Sequence, residues 1–123
     1  MPNKILIADD EVDVLETMEK KLREKGYLVT AVSNGADALK SCKLDKPDLA
    51  LLDIAMPDMD GYEIASELKK DNSLSDVPII FVTGKNLDHK GMEERISELG
   101  AYDYITKPCE FEEILSKIEK VLR

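Results

Sequence analysis

Short apolar runs alternate along this chain with stretches that are apolar on one face only. Ile5-Leu6-Ile7-Ala8 is apolar at consecutive positions, the pattern of a strand covered on both faces in a parallel sheet. Val12, Leu15, Met18 and Leu22 follow at helical spacing, and Gly26 stops that helix. Leu28 to Val32 predicts a second strand, and Asn34-Gly35 a turn. Ala38, Leu39 and Cys42 predict a short helix closed before Pro47. Leu49 to Leu52 predicts a third strand ending at Asp53, and Ile64, Ala65 and Leu68 mark a third helix. Pro78 opens the strand Ile79 to Val82, which ends at Thr83. Met92, Ile96 and Leu99 mark a fourth helix capped by Gly100. Tyr104-Ile105 is a short last strand, and Phe111, Ile114, Leu115, Ile118 and Leu122 form a final helix.

This succession makes five βα units without a repeat or a linker. It predicts one α/β domain over 1–123, a doubly wound five-stranded parallel sheet with five helices on its two faces. In such sheets the ligand crevice lies outside the carboxyl ends of the strands.

Composition narrows the possible partners. The 123 residues are 43% apolar, enough for one core. Seventeen basic against 26 acidic residues leave a net charge of −9, which repels nucleic acid phosphates and anionic membranes. Tryptophan is absent and aromatics are 5%, so no base-stacking platform is visible. Cys42 and Cys109 have neither CxxC spacing nor a histidine cluster, so they read as reduced thiols rather than as a disulfide or a zinc site. The N-terminus does not fit a signal peptide, and no apolar run approaches the roughly 18 residues of a membrane span. A soluble cytoplasmic location is the expectation.

The strand ends carry an unusual set of side chains. The first ends at Asp9, Asp10 and Glu11, the third at Asp53, the fourth at Thr83, and the fifth runs into Thr106, Lys107 and Pro108. One acidic strand end is ordinarily a helix cap, and Asp9 or Asp10 could cap the first helix. Acids at two ends with a hydroxyl and an ammonium at two others need more than capping. Converging carboxylates repel unless a cation shares them or some are protonated. Oxygen donors in a small open cluster favour Mg²⁺, which completes its shell with water and a ligand phosphate. Thr83 and Lys107 are then well typed for phosphoryl oxygens.

Four segments together resemble the receiver domain of two-component response regulators along the whole chain. They are Asp9-Asp10, Leu51-Leu52-Asp53-Ile54-Ala55-Met56-Pro57-Asp58-Met59-Asp60-Gly61, Thr83-Gly84, and Gly100-Ala101-Tyr102-Asp103-Tyr104-Ile105-Thr106-Lys107-Pro108. The resemblance implies a flavodoxin-like fold with strand order 2-1-3-4-5. It implies that Asp53 accepts a phosphoryl group from a phosphohistidine of a histidine kinase or histidine phosphotransfer protein. It further implies Mg²⁺ on Asp10, Asp53 and the Ala55 carbonyl, with Asp9 acting through water. Lys107 would pair with a phosphoryl oxygen, and Thr83 would report occupancy to Tyr104. A cis Lys107-Pro108 bond is also implied, as are flanking roles for Ala55 and Lys85 in hydrolysis. The output would be an effector or a second receiver docking on the fourth helix, fifth strand and fifth helix, with no enzymatic activity beyond the domain's own phosphorylation and dephosphorylation.

Two features depart from the family pattern. The spacing from Thr83 to Lys107 is slightly long, with the extra length in Lys85 to Lys90, and Cys109 stands where a bulky apolar residue is common. His89, Lys20-Lys21 and Lys69-Lys70 read as solvated. Asp58, Asp60, Gly61 and Glu67 partly imitate a calcium loop, but Met56 and Pro57 stand where the first ligand is needed. Three rival readings are weaker. An aspartyl-phosphate phosphohydrolase of the haloacid dehalogenase type needs a second Asp at Ala55, and a flavodoxin-like nucleotide or flavin carrier needs a Gly- or Ser/Thr-rich loop at Asp9-Asp10-Glu11. A constitutive docking module leaves the acceptor set without a purpose.

Overall fold

A computed structural model describes residues 3–84 and 89–122. The strands are β1 (Lys4–Ala8), β2 (Leu28–Val32), β3 (Leu49–Asp53), β4 (Ile79–Thr83) and β5 (Asp103–Thr106). They alternate with helices α1 (Val12–Glu24), α2 (Gly35–Leu44), α3 (Gly61–Lys70), α4 (His89–Leu99) and α5 (Phe111–Leu122). All pairings are parallel, in the order β2-β1-β3-β4-β5. The expected doubly wound sheet and its strand order are therefore present. The expectations for Lys85 and the His89 side chain fall outside the described residues.

Consecutive apolar residues make this sheet because each strand feeds two cores. Leu6, Ala8, Ala50, Leu52, Ile79 and Phe81 pack with α2, α3 and α4 through Ala38, Ile64, Leu68, Met92 and Ile96. Ile5, Ile7, Leu49, Leu51, Ile80 and Ile105 face the other way, onto α1 and α5 through Leu15, Leu22, Ile114 and Ile118. Burying each large aliphatic side chain contributes roughly 1.5–3 kcal/mol. The edge strand β2 alternates instead, with Val29 buried between exposed Leu28 and Thr30.

Three local readings are corrected. Asn34-Gly35 is not a free turn: Asn34 caps α2 by accepting from the Asp37 N–H at 2.9 Å, and Gly35 is the first helical residue. Val12 is 53% exposed, because α1 begins beyond the end of β1 and no strand lies beneath its first turn. Lys69 is half-buried rather than solvated, its Nζ donating to the Ser75 carbonyl at 3.0 Å to close the turn after α3. No helix among the described residues is long and apolar enough to cross a membrane.

Candidate functional site

The order of the strands reverses between β1 and β3, and the register carries one row of residues to that opening. Ala8 pairs with Leu52, so Asp9 follows β1 beside Asp53 at the end of β3. Asp53 pairs with Val82 and Thr83 with Thr106, and the Lys107 N–H donates to the Thr83 carbonyl at 2.7 Å. Residues scattered from 9 to 107 thus share one sheet edge.

Oxygen atoms of Asp9, Asp10 and Asp53 lie within 4.8 Å of one another. Asp9 and Asp53 are each 5% exposed, whereas Asp10 faces solvent. Neither Asp9 nor Asp10 is the cap of α1. That position belongs to Glu11, whose side chain makes no cap bond and whose N–H donates to Asp9 Oδ1 at 2.9 Å. Asp53 Oδ1 accepts the Ala55 N–H at 3.3 Å. Lys107 Nζ stands among the acids, 3.0 Å from Asp9 Oδ2, 3.4 Å from Glu11 Oε1 and 3.6 Å from Asp53 Oδ2. Its peptide bond to Pro108 is cis.

One ammonium does not balance this cluster. Burial, and then the charge of Asp9, push the Asp53 carboxyl up to about 7, against the opposing pull of Lys107 and the Ala55 N–H. Burial draws Lys107 down, but its bond to Asp9 and the charges of Asp53, Asp9 and Glu11 outweigh that and hold it above the usual lysine range. The donors are all carboxylate oxygens, which suits a hard cation. The acids and Lys107 expected from the sequence are therefore brought together.

Thr83 is fully buried, and its hydroxyl donates to the Gly84 carbonyl at 3.2 Å. Tyr104, two strand positions before Thr106, rests partly on the α2–α4 core and donates its hydroxyl to Glu93 Oε1 on α4 at 3.0 Å. Glu93 was not singled out by sequence pattern, since only the docking of α4 brings it to β5. An apolar recess of about 540 Å³ adjoins Lys107, lined by Val14, Leu15, Met18, Pro108, Cys109 and Ile114 among others. Burial raises the thiols of both Cys42, to about 11, and Cys109, so neither is poised as a nucleophile.

A model of the family described as response regulator receiver domain matches residues 5–119. The chain is 41% identical over 122 residues to a protein of Guillardia theta named probable transcriptional regulator ycf27, covering 98% of this chain and 45% of that protein. It is 36% identical over 123 residues to the alkaline phosphatase synthesis transcriptional regulatory protein PhoP of Bacillus subtilis, covering 100% of this chain and 50% of that one. The chain thus spans about half the length of the curated relatives it matches. Among solved structures it resembles the receiver domain of sensor histidine kinase PA1611 from Pseudomonas aeruginosa, at 29% identity and a TM-score of 0.87 over 99% of this chain and 98% of that chain, and that structure holds a magnesium ion in its active site cleft. The matched span contains the acidic crevice, Thr83 and Lys107 together, and on that agreement of sequence, fold and strand-end chemistry the chain belongs to the response regulator receiver domain family.

Proposed function

We propose that residues 1–123 form a single phosphoryl-accepting switch in which Asp53 is the acceptor. The observation that carries this reading is the buried Asp53 carboxylate, held between the acids Asp9 and Asp10 and the Lys107 ammonium at 3.6 Å. An Asp53 carboxylate oxygen attacks the phosphorus of a phosphohistidine on a histidine kinase or histidine phosphotransfer protein. The O–P bond forms as the P–N bond breaks, and the imidazole leaves with the bonding pair. Lys107 pairs with a phosphoryl oxygen, exchanging part of its present bonding to Asp9 and Glu11. Thr83 turns its hydroxyl from the Gly84 carbonyl to another phosphoryl oxygen.

Asp10, Asp53 and the Ala55 carbonyl would hold Mg²⁺, with Asp9 reaching it through water. The fit rests on the all-oxygen donor set and on the unbalanced charge at Asp53. When bound, the ion neutralises negative charge on the acids and on the transferring phosphoryl group. Ala55 supplies no acid for a phosphohydrolase cycle, and Asp9-Asp10-Glu11 gives no neutral phosphate loop for a nucleotide carrier. The domain's chemistry is therefore its own phosphorylation and dephosphorylation. The output is docking of an effector or a second receiver on α4, β5 and α5, where Tyr104 meets Glu93.

Incubation with a small acyl phosphate and Mg²⁺ tests this. Intact-mass measurement should show one phosphoryl group per chain, removable by hydroxylamine and absent from Asp53→Asn. A hydroxylamine-stable label, or an equal label on Asp53→Asn, would overturn it.

A further inference from the structure

The loop after the acceptor strand is pinned to the molecule at two places. At its far end, the Gly61 N–H donates to the Ile54 carbonyl at 2.9 Å, and a Cβ on Gly61 would come within 2.7 Å of the Asp53 carbonyl oxygen. In its middle, Asp58 reaches across to the first turn of α2. Its Oδ1 accepts the Gly35 N–H at 3.1 Å and its Oδ2 accepts the Ala36 N–H at 3.3 Å. Beside that contact a Cβ on Gly35 would stand 2.6 Å from the Met59 Cβ, so only glycine allows the loop to lie this close. The helix has its own cap in Asn34, so α2 does not depend on Asp58 for its start. What the two bonds fix is the loop, and Ala55 lies between Asp53 and these anchors.

We infer that Asp58 and Gly35 are a positioning pair for the acidic crevice: the cross-loop bonds hold the segment after Asp53 so that the Ala55 carbonyl is presented to the cation. This rests on the metal reading given above. It assigns a purpose to a residue that otherwise looks like part of a failed calcium loop. Neither residue touches the reacting atoms. Their effect passes through the backbone of the loop, so it appears in metal affinity and loop structure rather than in the presence of the acceptor.

Magnesium titration by calorimetry and backbone NMR of the metal-free protein test the pair together. Asp58→Ala should raise the Mg²⁺ Kd about three- to tenfold, below the roughly 10- to 100-fold usual for a group bonded directly to a metal ligand. It should also shift the Ala55 amide resonance in metal-free protein. Asp58→Asn loses the same charge and keeps a carbonyl acceptor for the Gly35 N–H, but turns an amide N–H toward the Ala36 N–H, so it should fall between the parent and Asp58→Ala in both readouts. Gly35→Ala keeps the Asp58 charge and should behave like Asp58→Ala, with thermal melts reporting that it is folded. If Asp58→Asn is as weak as Asp58→Ala, simple charge attraction accounts for the loss and the inference fails. If the parent binds Mg²⁺ and Asp58→Ala binds as tightly with Ala55 unshifted, the inference fails alone. A parent that binds no Mg²⁺ overturns the metal reading and the inference with it.

Discussion

Asp53 is buried beside another carboxylate, and its carboxyl keeps its proton up to about 7. In an unfolded chain an aspartate ionises near 3.9. Between those two values the folded state binds more protons than the unfolded one, so this group's effect on stability worsens as pH rises and is fully unfavourable above about 7. Asp58, Asp71 and Asp76, drawn down by hydrogen bonds, act in the opposite sense but only near and below about 4. Metal-free protein should therefore melt at a higher temperature at pH 5.5 than at pH 7.5, and Asp53→Asn should remove most of that difference. Calorimetric melts of the two proteins at both pH values check this. An equal difference in Asp53→Asn would place the strain elsewhere.

At the scale of elements, Thr83 and Tyr104 lie on neighbouring strands β4 and β5, and Tyr104 is tied outward to α4 through Glu93. Lys117 pairs with Asp103, tying α5 to the same strand. A phosphoryl group at Asp53 would draw the Thr83 hydroxyl and vacate space beside Tyr104. Couplings of this kind are worth roughly 1–3 kcal/mol, so an active minority is shifted rather than created. Thr83→Ala should still accept the label at Asp53 but lose most of the response of Tyr104. NMR of the Tyr104 ring, with and without beryllofluoride, reads this directly. An equal response in parent and variant would break the link.

The elements were legible in the sequence because a sheet covered on both faces leaves unbroken apolar runs such as Ile5 to Ala8 and Leu49 to Leu52. The chemistry at the strand ends was legible because topology alone selects those positions. Val12 was misjudged because helical spacing carries no information about where the sheet beneath it stops. Asn34 was read as a turn residue because capping and turning use the same side-chain chemistry. The contacts of Asp58 and Glu93 escaped for a different reason. Their partners are the Gly35 and Ala36 N–H groups and the Tyr104 hydroxyl, on elements that only tertiary docking brings near.

For the whole molecule, a net charge of −9 and three clustered acids make metal-free folding carry electrostatic repulsion that a bound cation relieves. On the proposed reading, Mg²⁺ would bind the assembled crevice and not the unfolded chain. At ten times its Kd, mass action adds about 1.4 kcal/mol, or a rise in Tm of roughly 4–7 °C for a domain of this size. Asp10→Asn should melt higher than the parent without metal and lose most of this rise. Thermal melts in chelator and in Mg²⁺ check both, and a parent indifferent to Mg²⁺ would contradict the assignment of the crevice.

The central claim is that this fold exists to place a phosphoryl group on Asp53. The most direct measurement is to phosphorylate the protein with an acyl phosphate in Mg²⁺, reduce it with borohydride, and sequence the peptides by mass spectrometry. Reduction converts an aspartyl phosphate to homoserine at the acceptor position. The account predicts homoserine at position 53, dependent on both phosphodonor and Mg²⁺. Homoserine at position 9 or 10, or an unmodified Asp53 in protein that carries the phosphoryl mass, would contradict it.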